Sequence, residues 1–250
     1  NMADVSLRDG VMISHFEMVA DWQWAQRRGG VSADAGREYL MNWIPMLYPA
    51  TPHLAEETWW MLGNKEMLAE TVLNFDCPVG ESDAIILGRE EYLKRVVDRA
   101  RSVRELAERH TEGELSAVTI QTAHVWKVEL SSQAIEMHDG DFDFKEGGNK
   151  FLQSQQCFQD ESTKGDVMQF WRALVVGQKK RRGRIHTWGN QERALVSSRF
   201  DEVAFISENA DFIASALGIG TVEVYRAGEG EDVAGKARTS LPLEPGIAWR

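Results

Sequence analysis

The sequence predicts an α+β protein: an N-terminal antiparallel helical bundle followed by a small α/β domain with about three strands. Three observations predict it. Apolar residues recur at helical spacing through the first third, with Pro and Gly where helices should start and stop. Two β-branched, alternating runs, 117–122 and 221–225, stand far apart with helical patterns between them. The composition, 43% hydrophobic and 27% charged over 250 residues, is that of a globular chain with enough length for a substantial core. The expected boundaries are 1–80 for the bundle, 81–113 for a long connecting helix and 114–250 for the α/β domain.

Met12, Phe16 and Val19 share a helical face, and Gly29-Gly30 ends the pattern, giving a first helix over about 5–28. Leu40, Trp43, Ile44 and Leu47 form a second stripe, with Ser32 or Asp34 as cap and Pro49 as stop. Thr51 is a candidate N-cap ahead of Pro52. Leu54, Thr58, Met61 and Leu62 then face one way until Gly63. After a weakly patterned connection over 63–80, a charged helix is expected over about 82–110, with Tyr92, Leu93, Val96 and Val97 on its packing side. Beyond the strand at 117–122 come helices near 124–137, 165–180 and 201–217. The second strand follows, and Ile247 and Trp249 suggest a third after the turn signals Pro242 and Pro245. No repeat of 20 to 50 residues is visible.

Few residues nominate chemistry. Cys77 and Cys157 lie too far apart to read as a metal pair, and two cysteines make no disulfide framework. The histidines at 15, 53, 110, 124, 138 and 186 form no metal-gripping couple in sequence. Asp139, Asp141 and Asp143 imitate the start of a calcium loop, but Phe144 and Lys150 stand where its Gly and bidentate Glu belong. Gly218-Ile-Gly220 lies between helix and strand, the reverse of a dinucleotide loop, and reads as a helix cap. No nucleophile elbow or phosphate loop is present. Neither a catalytic nor a metal residue is expected. Apolar runs are far too short for a membrane span, and no secretory pattern precedes the bundle, so the expected compartment is the cytoplasm. Asn1 before Met2 suggests a cloning remnant.

Charge is distributed unevenly. The chain carries a net −11, which by itself argues against a polyanionic partner. Yet residues 167–191 hold no Asp or Glu and six cations, Arg172, Lys179, Lys180, Arg181, Arg182 and Arg184, so that stretch is +6 and the remainder −17. Such a run either complements a helix C-terminus or contacts nucleic-acid phosphates, with Gly183 lending flexibility and Trp188 available to stack on an unpaired base. Arg27 and Arg28, closing the first helix, complete the set of expected nucleic-acid-binding residues.

The run Pro49-Ala-Thr-Pro-His-Leu-Ala-Glu-Glu-Thr-Trp-Trp-Met-Leu-Gly63 resembles a segment of class I aminoacyl-tRNA synthetases. Asp21-Trp-Gln-Trp-Ala-Gln-Arg-Arg-Gly-Gly30 is similar to the helix end that leads into it in leucyl-tRNA synthetases. Glu90-Glu-Tyr-Leu-Lys94 and Leu241-Pro-Leu-Glu-Pro-Gly-Ile-Ala-Trp249 resemble the C-terminal region of the archaeal and eukaryotic-type enzyme. The resemblance implies an anticodon-binding-type bundle followed by a C-terminal domain that approaches the elbow and long variable arm of the tRNA. It implies tRNA-Leu as partner, together with the catalytic and editing domains of a full-length ligase. The family's His-Ile-Gly-His and Lys-Met-Ser-Lys-Ser motifs are absent, as is the editing insertion. Adenylate chemistry, with its ATP and magnesium, is therefore expected outside this chain, which should hold no cofactor and be inactive alone. Residues 139–191 match the family only loosely, so the basic run takes no residue-by-residue role from it. The alternative expectation is a synthetase-derived protein-interaction module that does not bind RNA.

Overall fold

A computed structural model describes residues 7–71, 80–110, 115–139, 148–159, 163–176, 183–230, 232 and 235–250. The chain divides into two compact units, Asn1–Pro78 and Val79–Arg250. No described helix is long and apolar enough to cross a membrane.

The first unit is helical. Helix α1 runs from Leu7–Val11 through a π-helical turn, Met12–Glu17, into Met18–Arg28. A π turn holds an extra residue and so advances the phase of the helix. That phase turns Ser14, Met18 and Trp22 toward α2 (Ala33–Leu47): Trp43 Nε1 donates to Ser14 O at 2.6 Å and the Tyr39 hydroxyl donates to Met18 O. Trp22 packs on Tyr39 and reaches Gly36, where a Cβ would lie 3.2 Å from its ring. The expected face of α1 is thus corrected, because Met12 and Phe16 are exposed. Ser32 caps α2 by accepting from Ala35 N–H.

Helix α3 (Pro52–Met61) begins at Pro52 as expected, but the Thr51 hydroxyl donates back to Leu47 O instead of capping it. Ala55 and Trp59 are buried with Ile44, Leu47 and Leu68, and Leu62 packs against them, while Leu54 and Met61 are exposed. The buried stripe is one residue out of register with the expected one. Glu56 accounts for part of that register: its carboxylate accepts from Leu68 N–H at 2.9 Å and Ala69 N–H at 3.0 Å. It thereby closes a 3₁₀ turn, Leu68–Glu70, over the core.

The second unit includes α4 (Glu81–Glu108). Tyr92, Leu93, Val96, Val97 and Ala100 are buried along one side. The remaining elements are β1 (Ala117–Thr122), α5 (Val125–Asp139), α6 (Gly148–Ser154), α7 (Gln156–Gln159) and α8 (Lys164–Trp171), which continues as a π turn, Arg172–Val176. After a 3₁₀ turn, Arg184–His186, come α9 (Asn190–Ser197), α10 (Glu202–Glu208), α11 (Ala210–Leu217), β2 (Thr221–Arg226), α12 (Lys236–Thr239) and β3 (Gly246–Trp249). The helix expected over 201–217 is interrupted at Asn209, whose side chain donates to Phe205 O. Gly218 caps α11 at φ 66, with Ile219 N–H reaching Ala214 O, as the sequence suggests.

The sheet has the order β2-β1-β3, with β1 parallel to β2 and antiparallel to β3. Val118 and Ile120 on one face of β1, and Thr119 and Gln121 on the other, are all buried, so both faces are covered. Helix α4 ties into this layer through polar contacts. Trp249 Nε1 donates to Ala100 O, while Arg101 and Arg104 donate to Ala216 O and Leu217 O at the carboxyl end of α11. Helices α4 and α9 cross at Gly88, where a Cβ would stand 3.0 Å from Leu195.

Two buried ionisable groups lock the unit. Glu202, 5% exposed, accepts from the Tyr92 hydroxyl and from Leu243 N–H at 3.2 Å. Burial raises its carboxyl to about 7. Lys127, 6% exposed, donates to Arg238 O at 2.9 Å and Ser240 O at 2.7 Å, where its charge meets the carbonyl end of α12. Burial lowers its pKa.

Candidate nucleic-acid interface

Arg172 is exposed where α8 passes into its π turn. Lys179, Lys180, Arg181 and Arg182 lie outside the described residues. Arg184 is engaged within the fold: its guanidinium lies 2.5 Å from Glu244. That contact joins the 3₁₀ turn to the segment 241–244, whose ends form an isolated bridge, Leu241 to Glu244.

Two expectations about this stretch need correction. Gly183 is not a flexible spacer: a Cβ there would lie 2.5 Å from the Val175 carbonyl, so glycine is required for close packing of two backbones. Trp188 is no stacking platform. It is 8% exposed, and its ring offers no open face to a base. Its carbonyl accepts from Arg193 Nε at 3.3 Å.

In the first unit, Arg27 is exposed and lies over the Trp24 ring at 5.5 Å, while Arg28 is half-buried. An Arg stacked on an indole is held extended with its N–H edge outward, a suitable posture for a phosphate contact.

A further feature of the second unit leaves no trace in the order of residues along the chain. At the carboxyl ends of the parallel strands β1 and β2 opens a cavity of about 200 Å³, lined by Thr122, Ala123, Arg199, Asp201, Glu202 and Arg226 among others. Crevices in open α/β sheets form at this end of the strands. Arg199 adopts a left-handed backbone, φ 52, at its rim, and Arg226 pairs with Asp201 at 3.1 Å. Neither arginine belongs to a periodic stripe or a charge run, so only the fold brings them together.

Residues 14–120 match the anticodon-binding domain of tRNA ligase, a span that runs from α1 through α4 into β1. Over those residues the chain is similar to an anticodon-binding domain of the tRNA-ligase type. Its likeness then extends over nearly its whole length to leucine–tRNA ligases of archaea. It is 25% identical to that of Pyrococcus furiosus over 246 residues, 96% of this chain and 22% of that protein. It is 26% identical to that of Methanosarcina acetivorans over 246 residues, 97% of this chain and 24% of that protein. With the enzyme of Methanococcoides burtonii it shares 26% over 250 residues, 97% of this chain and 24% of that one. The chain is similar to the archaeal leucine–tRNA ligases, and it spans about a quarter or less of their length.

Proposed function

We propose that the chain is the tRNA-binding portion of a leucyl-tRNA synthetase, positioning tRNA-Leu by its elbow and long variable arm for aminoacylation by a catalytic domain outside these residues. The observation that carries this reading is the match of residues 14–120 to the anticodon-binding domain of tRNA ligase, within a likeness to leucine–tRNA ligases that continues to the far end of the chain. ATP and magnesium then serve the catalytic domain, and the chain's protein partners are the catalytic and editing domains of the same enzyme, in the cytoplasm. Phosphate contacts come from Arg172 and from Lys179, Lys180, Arg181 and Arg182, with Arg27 and Arg28 as a second group. Backbone contacts of this kind supply affinity and placement. Arg184 holds its own turn through Glu244 and contributes orientation instead of direct contact.

Titrating tRNA-Leu against the full chain at a series of salt concentrations tests this. With about four to six phosphates contacted, log affinity should fall with log salt at a slope of roughly −3 to −5. Changing Arg172, Lys179, Lys180, Arg181 and Arg182 together to alanine should flatten the slope and weaken binding, while Trp188→Phe should leave both unchanged. Absence of salt dependence, or unaltered binding by the alanine variant, defeats the reading. A second reading, a protein-interaction module without RNA binding, draws support from the exposed apolar side chains Phe16, Leu54, Trp60 and Met61. It predicts tRNA binding no tighter than that of an unrelated acidic protein.

A further inference from the structure

We infer that His138 and His186 form a binding site for one divalent transition-metal ion of the zinc, nickel or copper type. The two residues are 48 positions apart, at the last turn of α5 and in the 3₁₀ turn Arg184–His186. The fold sets His138 Nε2 and His186 Nδ1 3.2 Å apart. An ion about 2.0–2.1 Å from each nitrogen would subtend an angle of about 100° between them, close to tetrahedral.

The tautomers suit this use. His138 Nδ1 lies 3.2 Å from the Asp139 carboxylate. In the tautomer that donates Nδ1–H to this carboxylate, the Nε2 lone pair faces His186, the carboxylate–histidine arrangement found behind metal ligands. Without an ion, His186 Nδ1–H donates to that lone pair. With one, the His186 proton moves to Nε2 through solvent, Nδ1 becomes a second ligand, and no net proton is released.

One residue organises the pair. Arg193 of α9 donates from NH1 to Asp139 at 2.7 Å, from NH2 to Ile185 O at 2.9 Å and from Nε to Trp188 O at 3.3 Å. It therefore holds the end of α5 and the turn carrying His186 in one frame, and buried Ile185 anchors that turn. Arg193 NH1 is also 3.5 Å from His138 Nδ1, and its charge is offset by Asp139. Among the described residues no third His, Cys, Asp or Glu completes a cluster. The described residues would thus supply the ion with two protein ligands, His138 and His186. Imidazole nitrogens select zinc, nickel or copper over magnesium and calcium. Bound there, the ion would staple α5 to the turn at 184–186.

The test is titration of the full chain with Zn²⁺, Ni²⁺ and Mg²⁺, reading stoichiometry by calorimetry and the thermal unfolding midpoint. The expected result is one Zn²⁺ or Ni²⁺ per chain, with a midpoint rise of roughly 5–10 °C at a free ion concentration about 100 times Kd, and no response to Mg²⁺. His186→Ala, at an exposed position, and His138→Gln should each abolish binding and the rise. A variant with His53→Ala and His110→Ala should retain both. Lack of a response to Zn²⁺ and Ni²⁺, or a response that survives His186→Ala, or one lost with His53 and His110, overturns the inference.

Discussion

The two units solve the burial problem differently. In the second, both faces of a three-stranded sheet are covered and the layers are pinned by buried polar groups, Glu202 between α4 and the 241–244 turn and Lys127 on the end of α12. In the first, a small cluster of Ile44, Leu47, Ala55, Trp59 and Leu68 forms the core. Large apolar side chains of the unit's helices are exposed, Phe16 at 60%, Trp60 at 64% and Met61 at 81%. A unit that buries its polar locks is specified by its own contacts. A unit that leaves Trp and Met in the open relies less on its interior and more on its surface, and contiguous exposed apolar surface is a mark of binding faces.

Substitutions can break this contrast, and the largest effect belongs to the second unit. Leu93→Ala, at a position with no exposure, should cost about 3–4 kcal/mol in urea unfolding, through lost burial and the cavity left behind. A loss under 1 kcal/mol would show that the buried side of α4 is not part of the core. Glu202 gives an effect nearly as large, with a defined pH signature. Its folded pKa is about 7 against an ordinary 4.5, so the folded state keeps a proton that the unfolded state releases. Stability from this source is complete below about pH 4.5, falls as pH rises to 7, and is level above; the total is at most about 3 kcal/mol. Glu202→Gln should imitate the neutral acid, accepting from Leu243 N–H and donating to Tyr92. It should remove the decline between pH 4.5 and 7 and raise stability at pH 8. An unchanged pH profile in the variant would place the titration elsewhere.

The sequence revealed the elements better than their faces. Caps and stops, such as Ser32 and Gly218, are local chemistry, and all three strands were legible from alternation and turn signals. The faces of α1 and α3 were not, because a π turn in one and the Glu56 tether in the other shift the buried stripe, and neither shows in apolar spacing. Trp188 shows the same limit in the candidate site. Beside a cationic run it reads as a base-stacking residue, yet the fold buries it. The pairing of His138 with His186 is tertiary, and no interval along the chain announces it.

Smaller effects sharpen the contrast from the side of the first unit. Glu56→Ala removes the acceptor of two backbone N–H groups over the small core, and should destabilise that unit by about 1–2 kcal/mol. Amide exchange at Leu68 and Ala69 should rise, with protection on α4 and the sheet unaltered. Faster exchange throughout the second unit as well would show that the two do not unfold independently.

The smallest expected effect is the most discriminating about surface. Trp60→Ser with Met61→Ser removes two large apolar side chains that contribute little to the bundle's own core, so the unfolding free energy should change by no more than about 0.5 kcal/mol. If the exposed face of α3 were instead part of the fold's stabilising interior, the same double change would cost several kcal/mol, as core truncations do. The measurement therefore separates a surface kept apolar for contact from one that merely finishes a small core. A near-zero cost would show that Trp59, and not its neighbour Trp60, carries the helix's packing, which is the distinction a one-residue error in reading the stripe conceals.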